Sequence, residues 1–353
     1  MHYIKDHERY SYVKPLFSWH KLFYVLSIIS LIILTVGFYV TYNHNVWYFP
    51  FFFTGVLFIV TYLIISTAIN LFYQPFDVEL HDKHVDGFWG GPVPSIDVYL
   101  PICGEDIRVV QNTWDGVREM RSTYEGQMNV YVLDDKGSSE YESMAQVFGF
   151  TYLSRPNKGE MKKAGNLLYA FNRTQGEYIV IFDADFRPHP DFAYELLPYM
   201  ADDSVGIVQS PQFFDYNDEV HQHSPLEYGA GNVQEYFYRI IQPSRGNFAG
   251  GSICVGSCAI YRRKALDSIG GMVQIEHSED VWTGYKLINA GWKIRYVPLA
   301  LSKGVCPSDM NSFFKQQTRW CSGSMSLMVS SAFWKAPIGW KTKLCYIAIL
   351  NHL

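Results

Sequence analysis

Two carboxylates follow a short apolar run near the middle of the chain. Tyr178 to Phe182 is uninterrupted by polar residues, and Asp183-Ala184-Asp185 comes directly after it. Such a run is typical of a strand buried on both faces of a parallel sheet. α/β sheets bind ligands at the carboxyl ends of their strands, and carboxylates are ligands of hard divalent cations. We therefore expect Asp183 and Asp185 to hold Mg²⁺ or Mn²⁺ that carries phosphate oxygens, although an isolated pair could also be a solvated turn.

Further acidic residues follow two other predicted strands. Asp134-Asp135 ends the run 130–133, and Glu105 lies in the loop after the run 96–101. Loops at the carboxyl edge of one sheet converge, so these carboxylates are predicted to face a cation or sugar hydroxyls. Neither a Gly-rich dinucleotide motif nor a phosphate-binding loop follows any predicted strand. We therefore expect phosphate to be bound through a metal ion, as in nucleotide-sugar sites.

Positive charge lies beside this edge in Lys162-Lys163-Ala164-Gly165-Asn166. Lys163 could offset the charge of a diphosphate, and Gly165 could let a helix approach a nucleotide. A solvated helix start would explain the same residues.

The segment His277-Ser278-Glu279-Asp280 is a candidate for proton transfer. Ser278 is predicted to cap a helix that runs to Ala290, with Gly291 just beyond it. The helix dipole alone would favour carboxylates in the first turn. Alternatively, Asp280 is a general base that takes the proton from an acceptor hydroxyl. The spacing is compatible with both interpretations.

Alternating strands and helices must position these residues. Strand and helix patterns alternate from Ile96 to Phe182, with helices over 107–123 and 162–171, which is typical of a doubly wound α/β sheet. Beyond it we expect a strand within 207–214, a loop of small residues over 246–259 that is either flexible or approaches a ligand closely, and an amphipathic helix over 310–327. That helix could lie in a membrane interface.

Two long uncharged stretches precede the α/β pattern. They cover 22–42 and 47–73, and each is long enough to span a bilayer as a helix. A buried helical hairpin of a soluble protein is the alternative. Four Lys or Arg residues precede the first stretch and the connector 43–46 has none, so the remainder of the chain is predicted to be cytoplasmic.

Composition limits the remaining functions. The net charge of -5 gives no reason to expect nucleic acid as a partner, and the six cysteines form no C-x-x-C pair, which favours reduced thiols. Residues 344–353 begin another apolar run that is too short to span a bilayer, so we interpret it as the start of a truncated third span.

The order of the motifs resembles a known family. Asp134-Asp135, Asp183-Ala184-Asp185, Ser278-Glu279-Asp280 and Gln316-x-x-Arg319-Trp320 resemble the D, DxD, TED and QxxRW series of processive family-2 glycosyltransferases of the bacterial cellulose synthase type. The segments 163–166, 209–214 and 256–263 add supporting matches. The resemblance covers roughly residues 94–326 and the apolar hairpin before them.

The resemblance implies an architecture. We expect a GT-A-like doubly wound mixed α/β sheet with flanking helices, preceded by a two-helix transmembrane hairpin and followed by amphipathic interfacial helices. The expected segments are a cytoplasmic N-terminal segment 1–21, the hairpin 22–73, a connector 74–94, the glycosyltransferase domain 95–308, interfacial helices 309–343 and the start of a span at 344–353.

It also implies residue roles. The uridine would be held by Glu105 and Asp135, with Asp134. Lys163 would offset the charge of the diphosphate, and Asp183 would bind the diphosphate through the metal ion. Gln316 and Arg319 would bind the acceptor end and the diphosphate. Asp183 and Asp185 would hold Mg²⁺ or Mn²⁺, and Asp280 would be the base. The acceptor would contact Trp320, Glu279 and Phe213.

The implied activity is inverting transfer of a hexose, with glucose as first choice, from a UDP-sugar to a growing β-linked polysaccharide at the plasma membrane. The expected partners are the donor, the polymer, the bilayer and accessory synthase subunits. A transferase acting on a membrane lipid, a chitin- or hyaluronan-type synthase, and a subunit with an inactive transferase domain stay open. Three positions depart from the family pattern. Ser278 replaces Thr but keeps the hydroxyl, and only Pro101 and Glu105 of the first-strand motif are kept. Gln317 replaces the usual Arg, which leaves the sugar undecided.

Overall fold

The computed structural model describes residues 4–42, 49–215 and 224–348. The predicted connector 43–46, the start of the second apolar stretch at 47–48 and the end of the last apolar run at 349–353 lie outside this range.

A mixed sheet forms the centre of the molecule. Within the described ranges seven strands follow the order β3-β2-β1-β4-β8-β6-β9. The strands β3, β2, β1 and β4 are parallel, whereas β8 runs antiparallel to both of its neighbours. A second sheet with the order β5-β10-β7 lies beside it. The strands are β1 (Ile96–Ile102), β2 (Met128–Asp134), β3 (Thr151–Leu153), β4 (Tyr178–Ile181), β5 (Arg187–Pro188), β6 (Val205–Gln209), β7 (Phe213–Asp215), β8 (Ala259–Arg262), β9 (Lys293–Tyr296) and β10 (Ser302–Val305).

Helices cover both faces of the main sheet. In the described ranges they are α1 (Asp6–Arg9), α2 (His20–Tyr42), α3 (Phe49–Asn70), α4 (Val78–Phe88), α5 (Ile107–Thr123), α6 (Ser139–Phe148), α7 (Lys162–Phe171), α8 (Phe192–Leu196), α9 (Pro225–Tyr236), α10 (Gln242–Ala249), α11 (Arg263–Asp267), α12 (Glu279–Asn289), α13 (Met310–Met328), α14 (Ser331–Lys335) and α15 (Trp340–Ile347). A π-helical turn, Phe237–Ile241, joins α9 to α10, and a 3₁₀ segment, Leu197–Ala201, follows α8.

Side-chain alternation along the central strands builds two apolar layers. Val98 and Val180 contribute to the layer that contains Trp114 of α5, whereas Tyr99 and Ile179 contribute to the layer that contains α7 and α12. Successive strand residues point to opposite faces, so strands buried on both faces must be apolar throughout. The predicted doubly wound α/β fold with a mixed sheet is confirmed, and the predicted helix bounds 107–123 and 162–171 match α5 and α7.

A buried ion pair lies next to the apolar layers of the main sheet. Asp97 on β1 is fully buried, and its Oδ2 accepts from the guanidinium of Arg263 at 3.0 Å and from the backbone N–H of Gly176 at 2.5 Å. A buried carboxylate needs such partners because desolvation is otherwise costly. The pair joins the amino end of β1 to the start of α11.

The helices α2 and α3 form the apolar hairpin. Both are long and apolar enough to cross a membrane, and only 6% and 17% of their apolar windows are buried. The exposed fraction reaches 90% for Phe51 and 71% for Phe58. The described part of the hairpin is therefore not the buried core of a soluble domain.

The residues before the hairpin pack on the domain that follows it. Ile4, Tyr12 and Val13 are buried, and the Tyr12 ring lies 5.4 Å from that of Phe213. The carbonyl of Val13 accepts from the backbone N–H of Phe76, so the chain entering the hairpin contacts the chain leaving it. We call residues 4–13 the N-terminal segment.

Candidate active site

A cavity of about 740 Å³ opens at the carboxyl ends of the parallel strands. The loops after β1, β2 and β4 form one side of it, and α12 and α13 form the other. This volume is in the usual range for small-molecule sites. Nearly all of the predicted site residues contribute to its lining, namely Glu105, Asp135, Lys163, Asp183, Asp185, Glu279, Asp280, Gln316, Arg319 and Trp320.

Asp183 and Asp185 line the cavity in the loop after β4. The backbone N–H of Asp183 donates to Ser257 Oγ at 2.9 Å, which fixes the loop after β4. Burial raises the pKa of Asp185 to about 7, and the charge of Asp183 adds to this effect. Two carboxylates that repel each other in this way would be stabilised by a divalent cation.

The donor set fits such a cation. No group of three or more His, Cys, Asp or Glu ligands occurs in the part of the chain that the structure describes. Two carboxylates therefore supply an incomplete set, and phosphate oxygens of a bound substrate and water would supply the remaining ligands. Mg²⁺ is commonly held in this way, by one or two carboxylates together with substrate phosphates.

Lys163, the second residue of α7, lies between the predicted metal ligand Asp183 and the first turn of α12. Its ammonium contacts the carboxylate of Asp183, and it lies 3.7 Å from Glu279 and 3.4 Å from the carbonyl oxygen of Gly256. Burial acts to lower the pKa of Lys163, but the charges of Asp183 and Glu279 outweigh it and raise the pKa above its ordinary value. The lysine is therefore positively charged at neutral pH, as a diphosphate site requires.

The two adjacent aspartates after β2 have different surroundings. Asp135 lines the cavity and accepts from Arg155 Nε at 2.6 Å. Asp134 is fully buried outside the lining, where it accepts from the backbone N–H groups of Lys136 and Ser138 and from the hydroxyl of Tyr152. Burial acts to raise the pKa of Asp134, but these hydrogen bonds outweigh it and lower the pKa. Asp134 therefore shapes the turn, and its predicted contact with a ligand finds no support in this geometry.

Asp280 lies in the first turn of α12 and faces the cavity. Burial raises its pKa to about 7, the charge of Glu279 adds to this, and Lys163 opposes it. Gly256 makes the position possible, since its φ is +74° and a Cβ there would lie 2.7 Å from the Asp280 side chain. The small-residue loop is thus a close neighbour of Asp280 as well as of Asp183.

Two sequence predictions near these residues are wrong in detail. Ser278 precedes α12 as expected, but its φ is +53° and its hydroxyl makes no capping hydrogen bond. Its side chain instead abuts Gly323 of α13 so closely that a Cβ at Gly323 would not fit. Gly165 makes room for Arg155 and the carbonyl of Glu160 and does not contribute to the cavity lining.

The helix α13 brings the acceptor-side residues to the cavity. Gln316, Arg319 and Trp320 are spaced three and one residues apart, so they share one face of the helix. Trp282 Nε1 of α12 donates to Ser326 Oγ at 3.0 Å, which fixes α13 beside the helix that carries Asp280. An indole suits the apolar face of a sugar, and a guanidinium suits phosphate oxygens.

The two adjacent phenylalanines of β7 differ in whether they line the cavity. Phe214 is buried and lines the cavity, whereas Phe213 packs on Tyr12 and lies outside the lining. The predicted acceptor contact of Phe213 is therefore not supported, and Phe214 takes its place. Successive residues of a strand point to opposite sides, which explains why Phe214 and not Phe213 lines the cavity.

Several cavity residues were not predicted. Phe186, Phe237 and Tyr238 add aromatic surface, and Tyr238 donates to Gln212 Oε1 at 2.9 Å. Phe237 and Tyr238 belong to the π-helical turn, a feature that is common at functional sites and has no simple sequence pattern. Phe186 directly follows Asp185, one of the two predicted metal ligands, so its place in the cavity could have been predicted from the sequence.

Comparisons with known proteins agree with this geometry. Residues 178–352 match the family described as "Glycosyl transferase family group 2". The Cellulose synthase 1 catalytic subunit [UDP-forming] of Komagataeibacter xylinus is 29% identical over 260 residues, which cover 73% of this chain and 34% of that protein. The corresponding subunit of Pseudomonas fluorescens is 28% identical over 261 residues, which cover 73% and 35%. The chain thus spans about a third of the length of these relatives, and 17% of Cellulose synthase 1 from the same Komagataeibacter species.

A solved structure shares the fold. The mannosyltransferase from Pyrobaculum calidifontis, in complex with GDP-Man and Mn²⁺, superimposes with a TM-score of 0.57 at 18% identity, and the match covers 81% of each chain. This similarity confirms the predicted GT-A-like fold of the α/β sheet and its flanking helices.

Proposed function

We propose that this chain, of which residues 178–352 match the glycosyl transferase family group 2, is a membrane-embedded inverting enzyme. It transfers a hexose from a UDP-sugar to a growing β-linked polysaccharide. One observation carries this proposal. A single cavity brings together a carboxylate pair suited to a metal, a buried carboxylate suited to proton transfer, and a Trp–Arg pair on a facing helix.

The donor is assigned from the relatives. The cellulose synthase subunits that this chain resembles are described as UDP-forming, which favours a UDP-sugar. Asp135 and Glu105 lie on the side of the cavity formed by β1 and β2, where the uridine would bind. We propose glucose as the sugar because the same relatives are named as cellulose synthases.

The proposed reaction is one displacement. Asp280 takes the proton from the acceptor hydroxyl as the hydroxyl oxygen attacks the anomeric carbon of the donor. The bond from that carbon to the diphosphate breaks, and UDP leaves with the electron pair. Lys163 and Arg319 bind the diphosphate oxygens, and Trp320 stacks on the terminal sugar of the acceptor.

Asp183 and Asp185 would hold the divalent cation, which when bound supplies Lewis-acid stabilisation of the leaving diphosphate. The Lys163 ammonium contacts Asp183, so it holds that carboxylate in place at the cavity. The choice between Mg²⁺ and Mn²⁺ is left to experiment.

Membrane embedding is supported by the hairpin. The helices α2 and α3 present apolar side chains outward, and their cytoplasmic ends would adjoin the domain through the N-terminal segment. The helices α13 and α14 expose Phe314 and Trp334, as an interfacial location would require. We place the cavity on the cytoplasmic side of a plasma membrane, with the polymer leaving through further membrane helices.

A second candidate is a transferase that adds one sugar to a membrane lipid. The same cavity serves both functions, because α13 would lie at the membrane surface in either case. A chitin- or hyaluronan-type synthase differs from the first proposal only in the sugar.

The deciding experiment uses the full chain in detergent or nanodiscs. UDP release is measured with UDP-glucose, UDP-N-acetylglucosamine and UDP-glucuronate in the presence of Mn²⁺ or Mg²⁺, and the radiolabelled product is separated by size. An insoluble or laddered product supports the polysaccharide synthase, whereas one labelled glycolipid supports the second candidate. If no donor releases UDP, the domain is an inactive subunit.

The rate is expected to depend on pH through Asp280. Its pKa is raised to about 7, so the base is protonated below that pH and ionised above it. We expect UDP release at saturating donor and Mn²⁺ to fall about tenfold for each pH unit below 7 and to level off above it. The pKa of Asp185, a predicted metal ligand, is also raised to about 7, so metal-dependent binding of UDP could change over the same pH range. UDP binding is therefore measured at each pH as the control. A flat rate from pH 5.5 to 8 would contradict the assigned base.

A further inference from the structure

A second, smaller pocket lies along one face of α7. Its volume is about 180 Å³, against about 740 Å³ for the main cavity, and the two spaces share no lining residue. The helix α7 and the loop between β3 and α7 supply most of its walls. The polar lining consists of Arg155, Asn157, Glu160, Asn172, Arg173 and Gln274. Sites for drug-sized ligands are usually larger, about 300–1,000 Å³, so this pocket suits a small polar group.

One guanidinium connects this second pocket to the main cavity. Arg155 lines the second pocket but is only 1% exposed. Its Nε donates at 2.6 Å to Asp135, which lines the main cavity, and its Nη2 donates to the carbonyl of Lys162 at 3.1 Å. Nη1 lies beside Gly165, a lining residue of the second pocket, and makes no hydrogen bond with any described residue. An acceptor in the pocket would satisfy this donor, which is costly to leave unpaired.

Arg173 brings a second guanidinium to the same pocket. Its Cζ lies 3.6 Å from the centre of the Tyr169 ring, and its Nη1 donates to the Tyr169 carbonyl at 3.1 Å. These contacts orient the guanidinium without using Nε or Nη2, which donate to no residue in the described part of the chain. Arginine presents its donors as a planar fork that matches the oxygens of a phosphate group.

The charges around the pocket favour an anion. Asp135 balances the charge of Arg155, whereas Arg173 forms no ion pair within the described ranges. Glu160 is the one carboxylate in the lining. Its Oε2 accepts from Asn157 Nδ2 at 2.7 Å, and it pairs with neither arginine. The carboxylate therefore opposes an anion but leaves the free donors of both guanidinium groups available.

We propose that the second pocket binds a phosphate group, either free phosphate or that of a small ester, through Arg155 Nη1 and the guanidinium of Arg173. The inference concerns a site separate from the main cavity and does not require the proposed transferase function. Because Nε of Arg155 holds Asp135, a bound phosphate is one guanidinium away from a residue predicted to contact the uridine.

The test measures phosphate binding to the full chain in detergent. Radiolabelled inorganic phosphate is used in equilibrium dialysis, and unlabelled glycerol 3-phosphate is then added as a competitor to distinguish free phosphate from an ester. No UDP-sugar and no divalent metal are present. Under these conditions the carboxylates of the main cavity, such as Asp183, Asp185 and Asp280, disfavour an anion there.

The decisive variant is Arg173→Gln, with Arg121→Gln as its matched control. Both arginines are exposed near the end of a helix, and each donates to one backbone carbonyl. Arg121 lines neither the second pocket nor the main cavity. We expect the wild type to bind one phosphate per chain, with the affinity lowered at least tenfold in Arg173→Gln and within twofold of wild type in Arg121→Gln.

A third variant, Glu160→Gln, is expected to act in the opposite direction. It removes the opposing charge and keeps an acceptor for Asn157, so phosphate affinity should rise at least threefold. General damage to the fold would weaken binding in both pocket variants, which makes the change of sign specific to this site. Equal affinity in wild type and Arg173→Gln, or no binding of phosphate to the wild type, would overturn the proposal. Failure of the chain to release UDP would count against the proposed function alone, because the dialysis contains no donor.

Discussion

Replacement of Asp280 by Asn is expected to lower UDP release by about 10³-fold while UDP binding changes less than threefold, because general-base catalysis contributes about 10²–10⁴-fold. Asn has the shape of Asp and cannot take a proton at neutral pH. The Asp280 side chain faces the cavity beside Gly256 and is not one of the two predicted metal ligands. The variant should therefore still bind UDP. Release of UDP at saturating donor, and UDP binding by calorimetry, are the two measurements.

The control for Asp280→Asn is Asp267→Asn, which removes an exposed carboxylate of α11 outside the cavity. It should retain wild-type turnover. If Asp280→Asn also retains it, Asp280 is not the base. The carboxylates of Glu279 and Asp183 would then be the next candidates.

Replacement of Asp185 by Asn is expected to lower turnover by about 10²–10³-fold, which corresponds to about 3–4 kcal/mol of transition-state stabilisation. Unlike Asp280→Asn, this variant should also bind UDP at least tenfold more weakly when Mn²⁺ is present. The physical reason is that one of the two carboxylates suited to the cation is lost, while the contact of Lys163 with Asp183 is retained.

The two variants are distinguished by a metal titration of UDP binding. In wild type and Asp280→Asn, UDP affinity should rise with Mn²⁺, and in Asp185→Asn this rise should be weak. Treatment of the wild type with EDTA should give the same binding as Asp185→Asn. Full turnover of the EDTA-treated wild type would contradict the metal assignment for both aspartates.

The sequence allowed the architecture and most of the cavity to be predicted, because strand burial and strand ends leave clear patterns. The apolar run before Asp183 and the helix that carries Arg319 are examples. The two unsupported ligand contacts, Asp134 and Phe213, each lie one residue away from a cavity residue. Neighbouring residues of the same type on or next to a strand cannot be told apart from sequence, since only the register decides which one faces the cavity.

The N-terminal segment was beyond prediction for a different reason. From the sequence, its basic residues indicate only a region that flanks a membrane span. In the structure, Arg9 and Glu8 contact residues that are 186 and 295 positions away. Ser278 was predicted to cap α12, but it packs on Gly323 of a helix more than 30 residues further along. Contacts between such distant positions depend on the assembled fold and leave no local pattern.

The close packing of Gly323 on Ser278 has a consequence for engineering. A chimaera that exchanges α13 for the equivalent helix of a related protein must bring a glycine to this position. Any larger residue would wedge the transplanted helix away from α12 and separate the Trp320 indole from Asp280. Under the roles proposed for Trp320 and Asp280, acceptor choice and proton transfer would be inherited together. Exchanges that carry 278 and 323 as one unit should therefore yield working hybrids more often than exchanges of the helix alone.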